Sequence, residues 1–399
     1  MTTDIGLPQM RFRRDNVIDT APEYDVLRAN APLTRVRTPA GDPAWLTTGY
    51  HVTKQLLAET RLGRSHPDPE NAPRISDSMR FGGPQGDHAT EADLHKLHRR
   101  LLAPAFSPRR MNLIADHISD LTDQALNDLA DLEPPVDLHD RLSFPLPIRV
   151  VCELLGVPLA DRDRIRDWSW EFASLSDHDG AMAAGREMFA YMAELVARKR
   201  VEPADDLMSD LVAASAEHDL LTDMELADMG MNLLFGGHET TVARIDYGTL
   251  LLLTHPDQLK ALRDDPALVE PAVEEIMRFS VPVDDTFPRY AHADIEVGDV
   301  TIRAGEAVLL PPSVANRDPE VFPDPHRFDI RRRSAQPHLG FGHGPHYCVG
   351  SGLARLELKA VFGRLFQRFA GLELAVPAAE LELNEDRFTG GLRRLPVTW

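Results

Sequence analysis

Between residues 90 and 280 apolar positions recur with a helical period, as in "LHKLHRRLLAPAF", "MNLIADHISDLTDQALNDLADL", "GREMFAYMAELVARKR" and "PAVEEIMRFS". Alternation of the strand kind is confined to short pieces: "AWLTTGY" near the start, "IEVGDVTI" and "AVLLPPSV" around 295 to 314, and "LELAVP" near the end. The pattern predicts a mainly α chain with a minor β component near 30–50, 290–315 and 370–399. No Gly/Ser linker, internal repeat or low-complexity tract divides it, so residues 1–399 read as a single domain. From 311 to 347 Pro, Arg, Asp, His and Gly follow one another without period. An irregular stretch of that length inside a compact domain is generally functional or disordered.

The longest predicted helix opens on a capping box, Thr222 with Glu225, and runs to about Leu253, where Thr254-His255-Pro256 ends it. Its middle reads "LFGGHETT". Each interior glycine costs about 1 kcal/mol relative to alanine, so two together need a reason. Glycine lets a backbone or a flat ligand approach closely and lets a hydroxyl enter the hydrogen-bond ladder. Asn232, Gly236 and Thr240 are spaced i, i+4, i+8 and share a face, so Gly236 leaves space beside the Thr240 hydroxyl, with Glu239 adjacent. A packing kink with a solvated Glu239 fits this pattern. So does a hydroxyl and carboxylate pair relaying protons to a bound ligand.

The chain has two cysteines. Cys152, in "RVVCELLGVP", reads as a packing residue, whereas Cys348 lies in the turn "FGHGPHYCVG". After it, Leu358, Val361, Phe362, Leu365, Phe366 and Phe369 mark the apolar face of a helix, so Cys348 sits at or just before a helix N-terminus. Unpaired N–H groups and the positive end of the dipole favour a thiolate there. Such a thiolate suits a nucleophile with His343 or His346 as base, a zinc ligand, or a haem axial ligand. His338, His343, His346 and Cys348 fall into no common zinc spacing, and amides turned toward sulfur with cationic groups nearby favour the third.

A formal charge of −20 argues against general nucleic-acid or anionic-membrane binding. No run approaches the ~18 apolar residues of a membrane helix, and "MTTDIGLPQMRFRRDN" lacks the apolar core of a signal peptide. Two cysteines make no disulfide framework, which suits a reducing compartment; the expectation is a cytoplasmic monomer.

Several of these segments together resemble the cytochrome P450 family. "FGHGPHYCVG" matches its haem-loop pattern through Phe341, Gly344, Cys348 and Gly350. "GGHETT" matches its oxygen-activation pattern through Gly236, Gly237, Glu239 and Thr240, with Gly236 where alanine is commoner. "EIMR" supplies Glu275 and Arg278 of Glu-x-x-Arg, and "PHRF" supplies Arg327. All appear in the family's order, over roughly residues 20 to 399. The resemblance implies haem b with Cys348 as the iron ligand and Glu239 and Thr240 as the groups that deliver protons to oxygen. His95, Arg99, Arg289 and His338, with His346, resemble the propionate partners. Glu275, Arg278 and Arg327 would form a buried structural ion network.

By the same analogy the substrate pocket draws on Asn232, Phe235, Val283, Thr286, Phe287, Phe388 and Thr389. This lining is mostly apolar and suits a medium or large organic molecule. The implied chemistry is O2-dependent hydroxylation of a medium or large organic molecule in secondary-metabolite tailoring, with electrons from NAD(P)H through a ferredoxin or flavodoxin and its reductase. Such carriers are acidic, which points to Arg100, Arg109, Arg110 and Arg331 to Arg333 as the docking side. Oxidative C–C or C–N coupling of an aromatic substrate such as a cyclic dipeptide uses the same iron without inserting oxygen. A haem-binding sensor and a cysteine hydrolase are readings of other classes; the "GGHETT" relay argues against the sensor.

Overall fold

The computed structural model describes residues 6–78, 81–218, 220–282 and 287–399, with the side chain of residue 218 left aside. Its helices are α1 (Glu23–Asn30), α2 (Tyr50–Leu57), α3 (Glu91–Leu102), α4 (Pro108–Ala130), α5 (Pro145–Leu155), α6 (Arg162–Phe172), α7 (His178–Val201), α8 (Leu207–His218), α9 (Asp223–Thr254), α10 (Pro256–Asp264), α11 (Val269–Phe279), α12 (Pro312–Ala315) and α13 (Ser351–Arg368). The strands are short: β1 (Leu33–Arg37), β2 (Pro43–Thr47), β3 (Leu62–Gly63), β4 (Val136–Asp137), β5 (Arg289–Ala291), β6 (Ile295–Val297), β7 (Val300–Ile302), β8 (Ala307–Leu309), β9 (Glu373–Leu374) and β10 (Pro396–Thr398). The mainly α expectation holds, with strands where alternation placed them. β3 and β4, two residues each, are too short to show alternation.

The chain folds as two compact units, Met1–Lys96 with Glu274–Cys348, and Leu97–Val273 with Val349–Trp399. The first holds the five-stranded sheet β1-β2-β8-β5-β3. β1 and β2 pair antiparallel from Leu33 with Thr47 to Arg37 with Pro43, and β5 pairs antiparallel with β8 through Arg289 and Val308. Inward residues Val36, Leu46, Tyr290 and Leu309 meet Tyr24 and Val314 in one cluster, and Leu56, Leu62, Ile302 and Val308 form another.

The irregular segment belongs to this unit. From Asn316 to Leu339 it has no ladder to satisfy its backbone, yet Asn316, Arg317, Asp318, Phe328 and Ile330 are buried. Buried carbonyls must find partners, and Arg278 provides them. Its guanidinium donates to both carboxylate oxygens of Glu275 at 2.7 and 2.8 Å and to the carbonyls of Asn316, Pro325 and Arg327 at 2.9, 3.0 and 3.2 Å. Glu275 also accepts from the Asp329 N–H at 3.0 Å. The third ionic member is Arg332, whose Nε lies 3.1 Å from Glu275 Oε1. This corrects the expectation for Arg327. Its side chain is 65% exposed and lies 4.0 Å from Asp329, while its carbonyl accepts from Arg278 and Arg332.

The second unit is helical. α9 is continuous from Asp223 to Thr254, and the capping box is present in both directions, Glu225 N–H to Thr222 Oγ1 at 3.3 Å and Thr222 N–H to Glu225 Oε2 at 2.8 Å. α9 packs on α5, α7 and α13. On α13 the predicted apolar face, Leu358, Val361, Phe362, Leu365 and Phe366, is buried, and Cys152 is buried in α5. β4, β10 and β9 form a small sheet here.

Removing Arg278 would strand three carbonyls and leave the buried Glu275 carboxylate with only part of its compensation, from Arg332. Arg278→Leu should therefore lower unfolding stability by about 3–5 kcal/mol in denaturant titration. A loss below about 1 kcal/mol, the size of an exposed pair, would contradict the role given to Arg278.

Candidate active site

In the first unit the chain approaches Cys348 through a tight turn. The Cys348 N–H donates to the Phe341 carbonyl at 2.9 Å, Gly342 N–H to Leu339 O at 2.8 Å, and Tyr347 N–H to Gly344 O at 3.0 Å. Gly344 has φ of 70°, and a Cβ there would lie 2.6 Å from Ala58 Cα, so only glycine fits. Cys348 itself is half-buried, and α13 begins three residues later at Ser351, after Gly350 at its cap. The other thiol differs: burial pushes Cys152 up to about 12, which makes it inert.

Several of the proposed cation and imidazole groups lie in the same unit. The rings of His95 and His346 lie with centroids 4.0 Å apart at a tilt of 32°. Arg289, on β5, is 9% exposed, and its Nη1 is buried with no hydrogen-bond partner. Burial brings its pKa down to about 10, against a weaker opposing effect of Glu91. A buried guanidinium with an unused donor is costly unless an anion meets it. Nδ1 of His338 accepts from the Gly340 N–H at 3.0 Å, so Nε2 carries the proton and donates to Glu274 Oε2 at 3.0 Å.

In the second unit the two glycines of α9 do different things. A Cβ on Gly237 would meet Val151 of α5 at 3.1 Å, so Gly237 serves packing. A Cβ on Gly236 would meet nothing within 4 Å. Asn232, Gly236 and Thr240 are all exposed on a helix that is otherwise largely buried, as the i, i+4, i+8 spacing requires. The Thr240 hydroxyl donates to Gly236 O at 2.8 Å, and Thr241 does the same to Gly237 O at 3.2 Å. Asn232 is held by Asp228, and Phe235 meets Phe172 edge-on at 5.3 Å. Arg99 is half-buried on α3.

Glu239 is turned inward. Its Oε2 accepts from the Thr389 hydroxyl at 3.0 Å. Burial raises its pKa to about 6, and Thr389, Arg387 and His139 limit the rise. His139, from the π-helical turn His139–Ser143, bonds through Nδ1 to Asp246 Oδ2 at 2.7 Å. Arg387 lies over the Trp170 ring at 3.7 Å and donates to the Trp170 carbonyl. Next to Glu239, His238 is buried and neutral. Burial lowers its pKa to about 3, and its ring nitrogens bond Ser169 Oγ and Phe144 O, each at 3.1 Å.

Of the residues proposed for a substrate pocket, Val283 and Thr286 lie outside the described residues. Phe287 is partly buried, under the Arg64 guanidinium at 4.1 Å, and Phe388 is half-buried. Thr389 is committed to Glu239. Sequence reasoning missed His139, Asp246 and Arg387. One signal was available: Asp246 interrupts the apolar run "VARIDYGTLLLL".

Comparison with known proteins gives a consistent picture. The family model described as Cytochrome P450 matches residues 170–384. The chain is 44% identical to pentalenolactone synthase of Streptomyces exfoliatus, over 98% of this chain and 99% of that one. It is 39% identical to the mycinamicin IV hydroxylase/epoxidase of Micromonospora griseorubida, over 95% of each. Among solved structures it is similar to substrate-free PimD, a polyene macrolide antibiotic pimaricin epoxidase. The TM-score is 0.88 at 36% identity, covering 99% of this chain and all of that one.

The His139–Asp246 pair carries a pH signature. Burial alone would lower the His139 pKa, but Asp246, with Asp137 and Asp140, outweighs it and lifts it from 6.5 to about 9. A value raised on folding gives stability that is complete below about 6.5 and lost as pH rises through about 9. Denaturant midpoints should fall across that window, and Asp246→Asn should flatten the fall. An equal fall in both proteins would contradict the pairing.

Proposed function

The chain belongs to the cytochrome P450 family, and on that premise we propose that it oxidises a medium or large secondary metabolite, in the first instance by hydroxylation. The protein is a haem-dependent monooxygenase using O2 and electrons that reach it from NAD(P)H through redox partners. The observation that carries the assignment of its site is the Cys348 turn, where glycines at positive φ and the Cys348 amide shape a loop at the start of α13.

The residues fit haem. Cys348 would bind the iron, and the unused donor of buried Arg289 suits a propionate. His95, Arg99 and His346 complete that set, while His338, bonded at both nitrogens, is its weakest member. Gly236 keeps the α9 surface low. When bound, the haem supplies the iron at which O2 is activated and the substrate oxidised.

The protein's own part is to hold the substrate and manage protons. Thr240, exposed beside Gly236, gives and accepts hydrogen bonds, and its bond to the Gly236 carbonyl fixes where the hydroxyl stands. Glu239 has a pKa of about 6, close to working pH, which is what a group that gives and regains a proton requires. Asn232, Phe235, Phe287 and Phe388 are the substrate contacts in this reading. The apolar surface of the three phenylalanines orients an organic molecule and excludes water from the reaction. The names of the relatives in pentalenolactone, mycinamicin and pimaricin chemistry support a secondary metabolite.

We place the protein in the cytoplasm as a monomer with residues 1–399 as one catalytic domain; no helix among the described residues is long and apolar enough to cross a membrane. An acidic ferredoxin or flavodoxin would meet Arg100, Arg109, Arg110, Arg331 and Arg333. Arg332 leaves the set because its guanidinium is largely buried against Glu275, whereas Arg110, paired with the exposed Asp205 at 2.9 Å, stays accessible.

Thr240→Ala should go on consuming reductant while releasing peroxide instead of product; unchanged coupling would contradict the role of Thr240. Arg289→Leu should weaken haem retention about tenfold, the size of one charge-assisted hydrogen bond, in transfer of haem to an apo-globin acceptor. Equal retention would remove Arg289 from the propionate set. Product mass separates hydroxylation, a gain of one oxygen, from coupling, a loss of two hydrogens.

A further inference from the structure

A small cavity lies beside α9 in the second unit, about the size of one water molecule. Glu239 and Asp246 of α9, His139, Trp170, Asn384 and Arg387 line it. Three side-chain atoms of these lining residues are buried with no hydrogen-bond partner: Glu239 Oε1, Asp246 Oδ1 and Arg387 Nε. The second oxygen of each carboxylate is already used, Glu239 Oε2 by Thr389 and Asp246 Oδ2 by His139. Two acceptors and one donor are what a single water satisfies, by donating its two protons to the carboxylates and accepting from the guanidinium N–H.

We propose that this cavity holds one structural water joining Glu239, Asp246 and Arg387, and that Arg387 and the His139–Asp246 pair are positioning residues that set the protonation of Glu239. The inference rests on the reading of Glu239 as the proton-delivering carboxyl. The cations of Arg387 and His139 favour its anion, and burial favours its acid form. Other groups nearby adjust the balance. Asp137 and Asp140 face His139, Asp386 stands beside Arg387, and the neutral ring of His238 bonds Ser169 and Phe144. Of the opposing influences, Arg387 is the larger of the two cationic ones.

The test is a pH titration of the Glu239 carboxyl by infrared difference spectroscopy of the ferric holoprotein, with Glu239→Gln to assign the band. Arg387→Gln should move the midpoint up by about one pH unit, the usual size of losing one nearby opposite charge. Arg387→Lys should recover most of that shift, and His139→Gln should give a smaller rise. A merely structural role for these residues would lower the melting temperature and leave the midpoint where it was, which would overturn the proposal. If Arg387→Gln does not fold, His139→Gln and Arg387→Lys decide it, because the charge-keeping variant must titrate near wild type and the neutral one above it. A crystal structure of the holoprotein with the cavity dry, or filled by a side chain, would also overturn it. The titration reads the carboxyl itself, so full coupling in Glu239→Gln would overturn the role of Glu239 and not this arrangement.

Discussion

The buried carboxylate of Glu275 holds the first unit in order. Between α12 and the Cys348 turn the backbone lacks the ladder that ordinarily satisfies buried carbonyls. Arg278 spans that gap, with two bonds to Glu275 and three to carbonyls, and Arg332 closes the carboxylate from its other side. Without the anion two guanidiniums would be left buried together. Without the guanidiniums several carbonyls and an anion would be stranded. The approach to Cys348 therefore depends on the charges of Glu275, Arg278 and Arg332. Further hydrogen bonds, from Leu339 N–H to the Asn316 side chain and from the Tyr50 hydroxyl to Pro337 O, carry the same constraint to the start of the turn.

α9 solves a different problem. A 32-residue helix buried on most sides needs no polar face, yet it carries Asp246, Glu239, His238 and Thr240. Each is placed by a partner: Asp246 by His139, Glu239 by Thr389, His238 by Ser169 and Phe144, and Thr240 by the Gly236 carbonyl. The glycine pair divides its duties between packing at Gly237 and clearance at Gly236. Burial makes the carboxyl of Glu239 reluctant to ionise, and the groups around it keep that reluctance moderate. The same residues that hold the helix in its surroundings thus set how readily Glu239 ionises.

Much of this was legible from the chain. The capping box, the span of α9, the shared face of Asn232, Gly236 and Thr240, and the apolar face of α13 follow from spacing alone, because helical periodicity is a local property. The motif around Cys348 was legible because its glycines and proline have conformational demands that few other turns share. What escaped was nonlocal. Arg332 rather than Arg327 closes on Glu275, although the local segment "PHRF" singles out Arg327. His139 and Arg387 lie far from Glu239 in sequence, and only the packing of α9 against the turn and the C-terminal segment brings them to it. The strands β3 and β4 were hidden because two residues show no alternation.

Whether Cys348 binds haem iron as a thiolate is read in the absorption spectrum of the purified holoprotein, reduced with dithionite and exposed to carbon monoxide. A Soret band at the long wavelength from which the family takes its name is the predicted result, and Cys348→Ala should lose it. A well-folded, haem-loaded protein whose band stays at the position of neutral ligation, or is the same in Cys348→Ala, would contradict the account.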